Sequence, residues 1–222
     1  MDAPDVNPPA LKRNLYELEV INQWLGGHLC TYRGLRHFQL KAGQHYRILD
    51  VGCGGGDTLR AIAKWGKQKR LDLELVGIDL SQTAVDYANE RCAKHSNISI
   101  VHAGFESYRP DQSFDIILCS LFTHHFYEEN LHKLIAMMDE NSRLGFTIND
   151  LERNPLAYHS IRILTQLFSR SYLVKNDAPL SVLRGFKRTE WLHLLHELGY
   201  SDARVENVWA FRHAITYVKG HA

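Results

Sequence analysis

Apolar residues recur along this chain in two rhythms. "LKRNLYELEVINQWLGG" places Leu11, Leu15, Leu18, Ile21 and Leu25 three and four residues apart, the spacing of a one-sided helix. Gly26 and Gly27 are expected to end it. Short apolar runs then alternate with helical stretches: "YRILDVG" reads as a strand, "DTLRAIAKWGKQ" as a helix, "LELVGIDL" as a strand, "SQTAVDYANERCAKH" as a helix and "ISIVHAG" as a strand. "SFDIILCS", "ENLHKLIAMMDE" and "SRLGFTIND" continue as strand, helix and strand. Repeated βα units predict a mainly parallel sheet covered on both faces, with right-handed crossovers.

Beyond Asp150 the rhythm changes. "PLAYHSIRILTQLFSR" predicts an extra helix, "SYLVKNDAPLSVLRGF" a loop, and "TEWLHLLHELGY" a helix with Thr189 as its N-cap. "ARVENVWAFRHAITYVKG" offers two strands around a short turn, and such close spacing favours an antiparallel hairpin over another crossover. The expected fold is α/β and doubly wound in the Rossmann-like manner, with a mainly parallel seven-stranded sheet, a C-terminal antiparallel hairpin and a helical lid. Residues 1–44 are expected to form an N-terminal helical cap and residues 45–222 the main domain, with 151–186 inserted as the lid.

Composition narrows the function. A chain of 222 residues, 45% hydrophobic and 23% charged, fits one domain with a substantial core. A formal net charge of +1 argues against a large phosphate-binding surface, so no nucleic acid is expected as the main partner. The basic run "KWGKQKR" reads as the solvated end of a helix. Four cysteines without a CxxC pair suit a reducing compartment. "MDAPDVNPPALKRN" is acidic and proline-rich without a signal pattern, and no run approaches about 18 apolar residues. A cytoplasmic protein without membrane insertion is expected; oligomeric state is not readable from these features.

The chemistry concentrates in "RILDVGCGGGD". A dinucleotide fingerprint would need its third glycine where Asp57 stands, and a P-loop would need a Gly-Lys-Ser/Thr ending. What remains is D-x-G-x-G-x-G from Asp50 to Gly56, followed by a second strand ending in an acid, "VGIDLS", at Asp79. An acid at that strand tip can accept both hydroxyls of a ribose by charge-assisted hydrogen bonds.

"ILDVGCGGGD", "VGIDLS" and "FDIILCS" resemble the signature segments of class I S-adenosylmethionine-dependent methyltransferases, in the same order, and the likeness spans roughly residues 45 to 218. The resemblance implies S-adenosylmethionine as cofactor. It implies that Asp50, Gly52, Cys53 and Gly54 line the methionine part and that Asp79 holds the ribose with Leu80 beside the adenine; Cys119 and Ser120, at the end of the fourth strand, are expected to bind the cofactor as well. One segment departs from the pattern: "VHAGFES" carries Phe105 where many members have an Asp that receives the adenine amino group. The adenine is expected to be held there by packing and by backbone groups near Gly104 and Phe105.

In open α/β sheets the chemistry sits at the carboxyl ends of the strands, so "CSLFTHHFYEEN" is expected to face the transferred methyl and to bring His124 or His125 to it. Methyl transfer from a sulfonium is an in-line displacement whose main demand is positioning in a dry pocket. A phenol with a pKa of about 10 is protonated at neutral pH, and an imidazole with an ordinary pKa of about 6.5 can take its proton. Adjacent residues point in different directions, so one histidine, by preference His125, is expected to enter the pocket. Asp150 can orient the catalytic His, orient a substrate hydroxyl, or cap a helix. No metal is expected, because no ligand spacing completes a tetrahedron.

Methyltransferases that act on amino groups of bases or of glutamine usually carry [DN]-P-P-[YFW] where this chain has "SLFTHH". The apolar positions between Leu151 and Phe186, with the N-terminal helix, are expected to enclose a hydrophobic small-molecule acceptor. "INQWLGGH" and "INDLERNPLAY" look similar to segments of bacterial methyltransferases that tailor aromatic polyketides and quinones, which favours O-methylation of a phenolic ring. The competing readings are an RNA or protein methyltransferase on the same fold, and a non-catalytic partner protein that binds S-adenosylmethionine without turnover.

Overall fold

The computed structural model describes residues 7–220; the first six residues, "MDAPDV", and the last two lie outside them. The described residues form eight α-helices around one seven-stranded sheet. The strands are β1 (His45–Val51), β2 (Asp72–Asp79), β3 (Ile98–His102), β4 (Phe114–Ser120), β5 (Ser142–Leu151), β6 (Arg204–Val208) and β7 (Arg212–Val218). Their order is β3-β2-β1-β4-β5-β7-β6. The first five run parallel, and β7 lies antiparallel to both β5 and β6. The βα rhythm and the terminal hairpin therefore appear as expected.

The apolar runs are continuous because both faces of the sheet are covered. Ile48, Leu75, Ile116 and Leu118 point into one core with Leu59, Ile62 and Trp65 of α3 (Asp57–Lys69) and Leu35 of α2 (Gly27–Leu35). Their neighbours Leu49, Val76, Ile117 and Cys119 point the other way, onto Leu131, Leu134 and Met138 of α5 (Glu128–Glu140) and Trp191 of α8 (Arg188–Glu197). Period-two alternation between two buried faces reads in sequence as an unbroken hydrophobic run. The helix α4 (Gln82–Cys92) follows β2, and α1 (Pro8–Trp24) packs on it through Leu11, Leu15, Ala84 and Tyr87.

Three local expectations are corrected. Gly26 adopts φ 73 and closes α1, but Gly27 already belongs to α2. The buried face of α2 is built from Gly27, Cys30, Thr31 and Gly34 as well as Leu35, so apolar periodicity hardly marks it. Its small residues permit close approach, since a Cβ on Gly34 would lie 2.0 Å from Thr147 Oγ1 of β5. The stretch read as a loop after Ser171 is α7 (Tyr172–Arg184), which contains Pro179. Val174, Ala178 and Val182, four residues apart, bury one stripe of α7 with Ala157 and Ile161 of α6 (Pro155–Phe168), and that packing outweighs the proline's missing N–H. The N-cap of α8 is Lys187 instead of Thr189, and the Glu190 carboxylate accepts its backbone N–H at 2.8 Å.

Candidate active site

The glycine loop after β1 is fixed by its backbone. The N–H groups of Gly52 and Cys53 both donate to the Ile78 carbonyl of β2, at 2.9 and 3.0 Å. Gly54 N–H donates to Asp79 Oδ2 and Ser81 N–H to Asp79 Oδ1, each at 2.9 Å. Gly52 has φ 69, and a Cβ there would lie 2.6 Å from the Phe122 ring. Only glycine satisfies both conditions. Arg60 of α3 donates to the Gly55 carbonyl at 2.8 Å and pairs with Glu19 of α1 at 2.8 Å. The first residue of α3, Asp57, accepts from Asn22 of α1 at 2.8 Å and His28 of α2 at 3.0 Å. Burial works to raise the Asp57 pKa, but these hydrogen bonds and the fields of His28 and Arg60 outweigh it and hold the carboxyl below its ordinary value. The two N-terminal helices are thereby tied to the loop.

The residues at this loop fit an S-adenosylmethionine-like molecule. Asp50 is 1% exposed, and its Oδ1 has no hydrogen-bond partner among the described residues. Burial first, then the fields of Asp57 and Asp79, push its carboxyl well above the ordinary range. An ammonium group at that oxygen would satisfy it. The Asp79 carboxylate keeps acceptor capacity beyond the two backbone N–H groups, because each oxygen offers two lone pairs. Leu80 is 76% exposed at the strand tip, and a Cβ on Gly104 would lie 3.4 Å from its Cδ1, so an apolar surface stands open beside the acid.

Three expected contacts turn inward. The Phe105 ring is buried in the core, edge-on to Phe126 with centroids 5.4 Å apart, where an apolar ring gains more than at the rim; Gly104 and Leu80 remain at the surface. Cys53 and Cys119 are core side chains whose thiols burial pushes upward. Ser120 Oγ lies 3.3 Å from Thr31 Oγ1 of α2 and 3.4 Å from the Asn149 amide nitrogen.

A second region opens beyond β4 and β5. His124, in the short 3₁₀ turn Thr123–His125, is 5% exposed, and its Nδ1 donates to Asp150 Oδ1 at 2.7 Å. An ionised carboxylate only accepts, which assigns the proton to Nδ1 and leaves Nε2 basic. Asp150 also accepts from Thr123 Oγ1, from His124 N at 2.9 Å and from Leu151 N at 2.7 Å. Burial works to raise the Asp150 pKa; the charge and hydrogen bond of His124, with those of Thr123 and Leu151, lower it below its ordinary value. Against the expectation that one histidine enters the pocket, both His124 and His125 line the same cavity, their ring centroids 4.4 Å apart.

That cavity holds about 570 Å³. Its walls come from Leu18, Ile21 and Leu25 of α1, Ile161 and Leu164 of α6, Val182 of α7, and the β6–β7 turn with Trp209 and Phe211. Glu17 of α1 fastens the α6–α7 junction by accepting from Ser169 Oγ and from the backbone N–H of Arg170 and Ser171 at 3.2 and 3.3 Å. Leu121, Ala210 and Phe211 have φ 55, 63 and 58, and all three line the cavity. Left-handed backbone at a non-glycine residue costs about 1–3 kcal/mol and gathers at functional sites. Sequence reasoning missed these three, because nothing in their residue types marks a positive φ. It also missed Arg212, which occupies an ordinary polar position in an alternating strand. Among the described residues, no group of three His, Cys, Asp or Glu side chains is placed to hold a metal.

The profile of the methyltransferase domain family matches residues 48–145. Malonyl-[acyl-carrier protein] O-methyltransferase 1 of Ilyobacter polytropus is 25% identical over 107 residues, 47% of this chain and 38% of that protein. Ubiquinone biosynthesis O-methyltransferase of Coxiella burnetii is 33% identical over 121 residues, 52% of this chain and 47% of that protein. The chain thus spans less than half the length of either relative. The crystal structure of a SAM-dependent methyltransferase from Aquifex aeolicus superposes with a TM-score of 0.65 at 19% identity, covering 96% of this chain and 98% of that one. The family match runs from Ile48 in β1 to Gly145 in β5 and takes in the glycine loop and the acidic strand tip; together with the shared fold it supports an S-adenosylmethionine-dependent methyltransferase of class I.

Proposed function

We propose that the chain O-methylates a hydrophobic small molecule bearing an acidic hydroxyl, of the phenolic kind, with His124 as general base. The observation that carries this reading is the 2.7 Å bond from His124 to Asp150 on a ring that lines an apolar cavity. S-adenosylmethionine, when bound, supplies the electrophilic methyl group. His124 accepts the acceptor's hydroxyl proton at Nε2, and Asp150 steadies the imidazolium that results. Thr123 and two backbone N–H groups keep Asp150 ionised and oriented. Asp50, Gly52, Gly54, Asp79, Leu80 and Gly104 are assigned to the cofactor. The apolar walls exclude water and position the hydroxyl.

The described part of the N-terminal segment, residues 7–44, acts as a cap and 151–186 as a lid, with Glu17 as the fastening between them. The printed names of both relatives are those of O-methyltransferases, which supports oxygen as the accepting atom. Four free, buried cysteines support a reducing, cytoplasmic setting. The test is turnover of a panel of phenols with S-adenosylmethionine, read by release of S-adenosylhomocysteine and by the mass of the product. Methyl ethers are expected. Binding of NADH with an affinity like that of S-adenosylhomocysteine, or methylation of nitrogen alone, overturns the reading.

A further inference from the structure

Arg212 begins β7 opposite Leu151 of β5 and is 2% exposed, yet it lines the cavity. Its Nε donates to the Leu25 carbonyl at 2.9 Å and its Nη1 to Asn149 Oδ1 at 3.5 Å. Among the described residues Nη2 has no hydrogen-bond acceptor, and no carboxylate lies within ion-pair distance of the guanidinium. The two buried carboxylates whose fields reach it are engaged elsewhere, Asp150 by His124 and Asp57 by His28 and Asn22. A guanidinium presents five N–H donors in a fixed fork matched to a carboxylate. Burying that charge without a counter-charge is costly, and the cost is offset when a ligand supplies the anion. Burial works to depress even this strongly basic group. The cavity's own acids, Glu152 and Asp177, are half-exposed and keep contact with solvent.

We propose that Arg212 is the carboxylate-recognising residue of the cavity and that the acceptor is an apolar acid, its carboxylate seated on the guanidinium while its ring or chain packs on Ile21, Leu25, Ile161 and Val182. This rests on the methyltransferase reading above and narrows its substrate class. A second source of the same chemistry is the amino-acid carboxylate of the cofactor. The acceptor is favoured because no residue of the glycine loop lines the cavity that Arg212 faces.

The experiment uses the full chain saturated with S-adenosylhomocysteine and measures binding of 4-hydroxybenzoate, 4-hydroxycinnamate and decanoate against their methyl esters. At least one acid is expected to bind at least tenfold more tightly than its ester. Arg212→Gln should erase that preference, and Arg212→Lys should keep part of it. In a parallel arm, S-adenosylhomocysteine is compared with 5′-methylthioadenosine, which lacks the amino-acid portion. If Arg212→Gln weakens the former and spares the latter, the guanidinium reads the cofactor and the proposal is overturned. It is equally overturned if no acid is preferred over its ester by the unaltered protein, including the case in which none binds, a comparison that needs no variant to fold. Failure of S-adenosylhomocysteine itself to bind would instead sink the methyltransferase reading.

Discussion

The glycine loop and the apolar cavity share one end of the sheet but are held in different ways. At the glycine loop the backbone does the work: N–H groups of Gly52, Cys53 and Gly54 are pinned to β2 and to Asp79. At the cavity almost everything is side chain, with α1, α6, α7 and the β6–β7 turn meeting through leucines, isoleucines and aromatic rings around one buried His–Asp pair. The difference teaches that a backbone-built site tolerates few residue types and so carries a recognisable pattern, whereas a packed cavity accepts many apolar solutions. It also separates two kinds of failure: damage to the loop should cost cofactor affinity, and damage to the cavity should cost acceptor handling or rate.

The largest effect is expected at the proposed base. His124→Gln should lower turnover by about 10² to 10⁴ while leaving S-adenosylhomocysteine affinity within about twofold. The deficit should shrink at high pH, where a phenol ionises unaided. His125→Gln should cost far less, because the Asp150 carboxylate orients the other ring. A larger loss from His125→Gln than from His124→Gln would return the base assignment to His125.

Next comes the loop. Gly52→Ala forces a positive φ onto a side-chain-bearing residue and drives a Cβ into the Phe122 ring. With strain of about 1–3 kcal/mol, S-adenosylhomocysteine should bind roughly tenfold to a hundredfold more weakly by calorimetry. Affinity within a factor of two would mean that the loop relaxes without cost.

Asp50→Asn should show opposite effects on stability and binding. The Asp50 carboxyl titrates higher in the folded chain than in the unfolded one. The unfolded state therefore binds fewer protons once pH passes the ordinary carboxylate range, and stability falls as pH rises from there through the raised folded value. Replacement by the neutral amide removes that loss. Thermal unfolding at pH 7 should show a higher Tm without ligand, while S-adenosylhomocysteine binds about tenfold more weakly for want of a charge-assisted bond. A lower Tm together with unchanged affinity would contradict both halves.

The smallest effect is expected on α6, in the proposed lid. Leu164 of α6 lines the cavity but stays 39% exposed. Leu164→Ala should raise the acceptor KM by roughly threefold to tenfold without altering cofactor binding, since a partly buried apolar contact contributes about 1 kcal/mol. A change in cofactor affinity instead would show that α6 braces the loop.

The two regions were unequally legible for the same reason. Strands β1, β2 and β4 announced themselves because residues alternating between two buried faces must all be apolar, and Gly52, Gly54 and Asp79 stood out because backbone geometry restricts them. The helix α7 was hidden behind Pro179, although Val174, Ala178 and Val182 already carried the four-residue spacing of a buried stripe. The helix α2 was nearly silent, since its sheet-facing positions include Gly27, Thr31 and Gly34.

What the amino-acid order alone determined is the βα succession, the terminal hairpin and the loop with its acidic partner, because each follows from local periodicity or from a conformation few residues can adopt. Tertiary structure decided which histidine is oriented. His124 and His125 are chemically identical neighbours, and the β5 carboxylate of Asp150, 26 residues further along the chain, orients His124. It also decided that Arg212 is buried in the cavity wall with an open side to its guanidinium, for a charged residue in a strand reads as solvent-facing until the helices that cover it are in place.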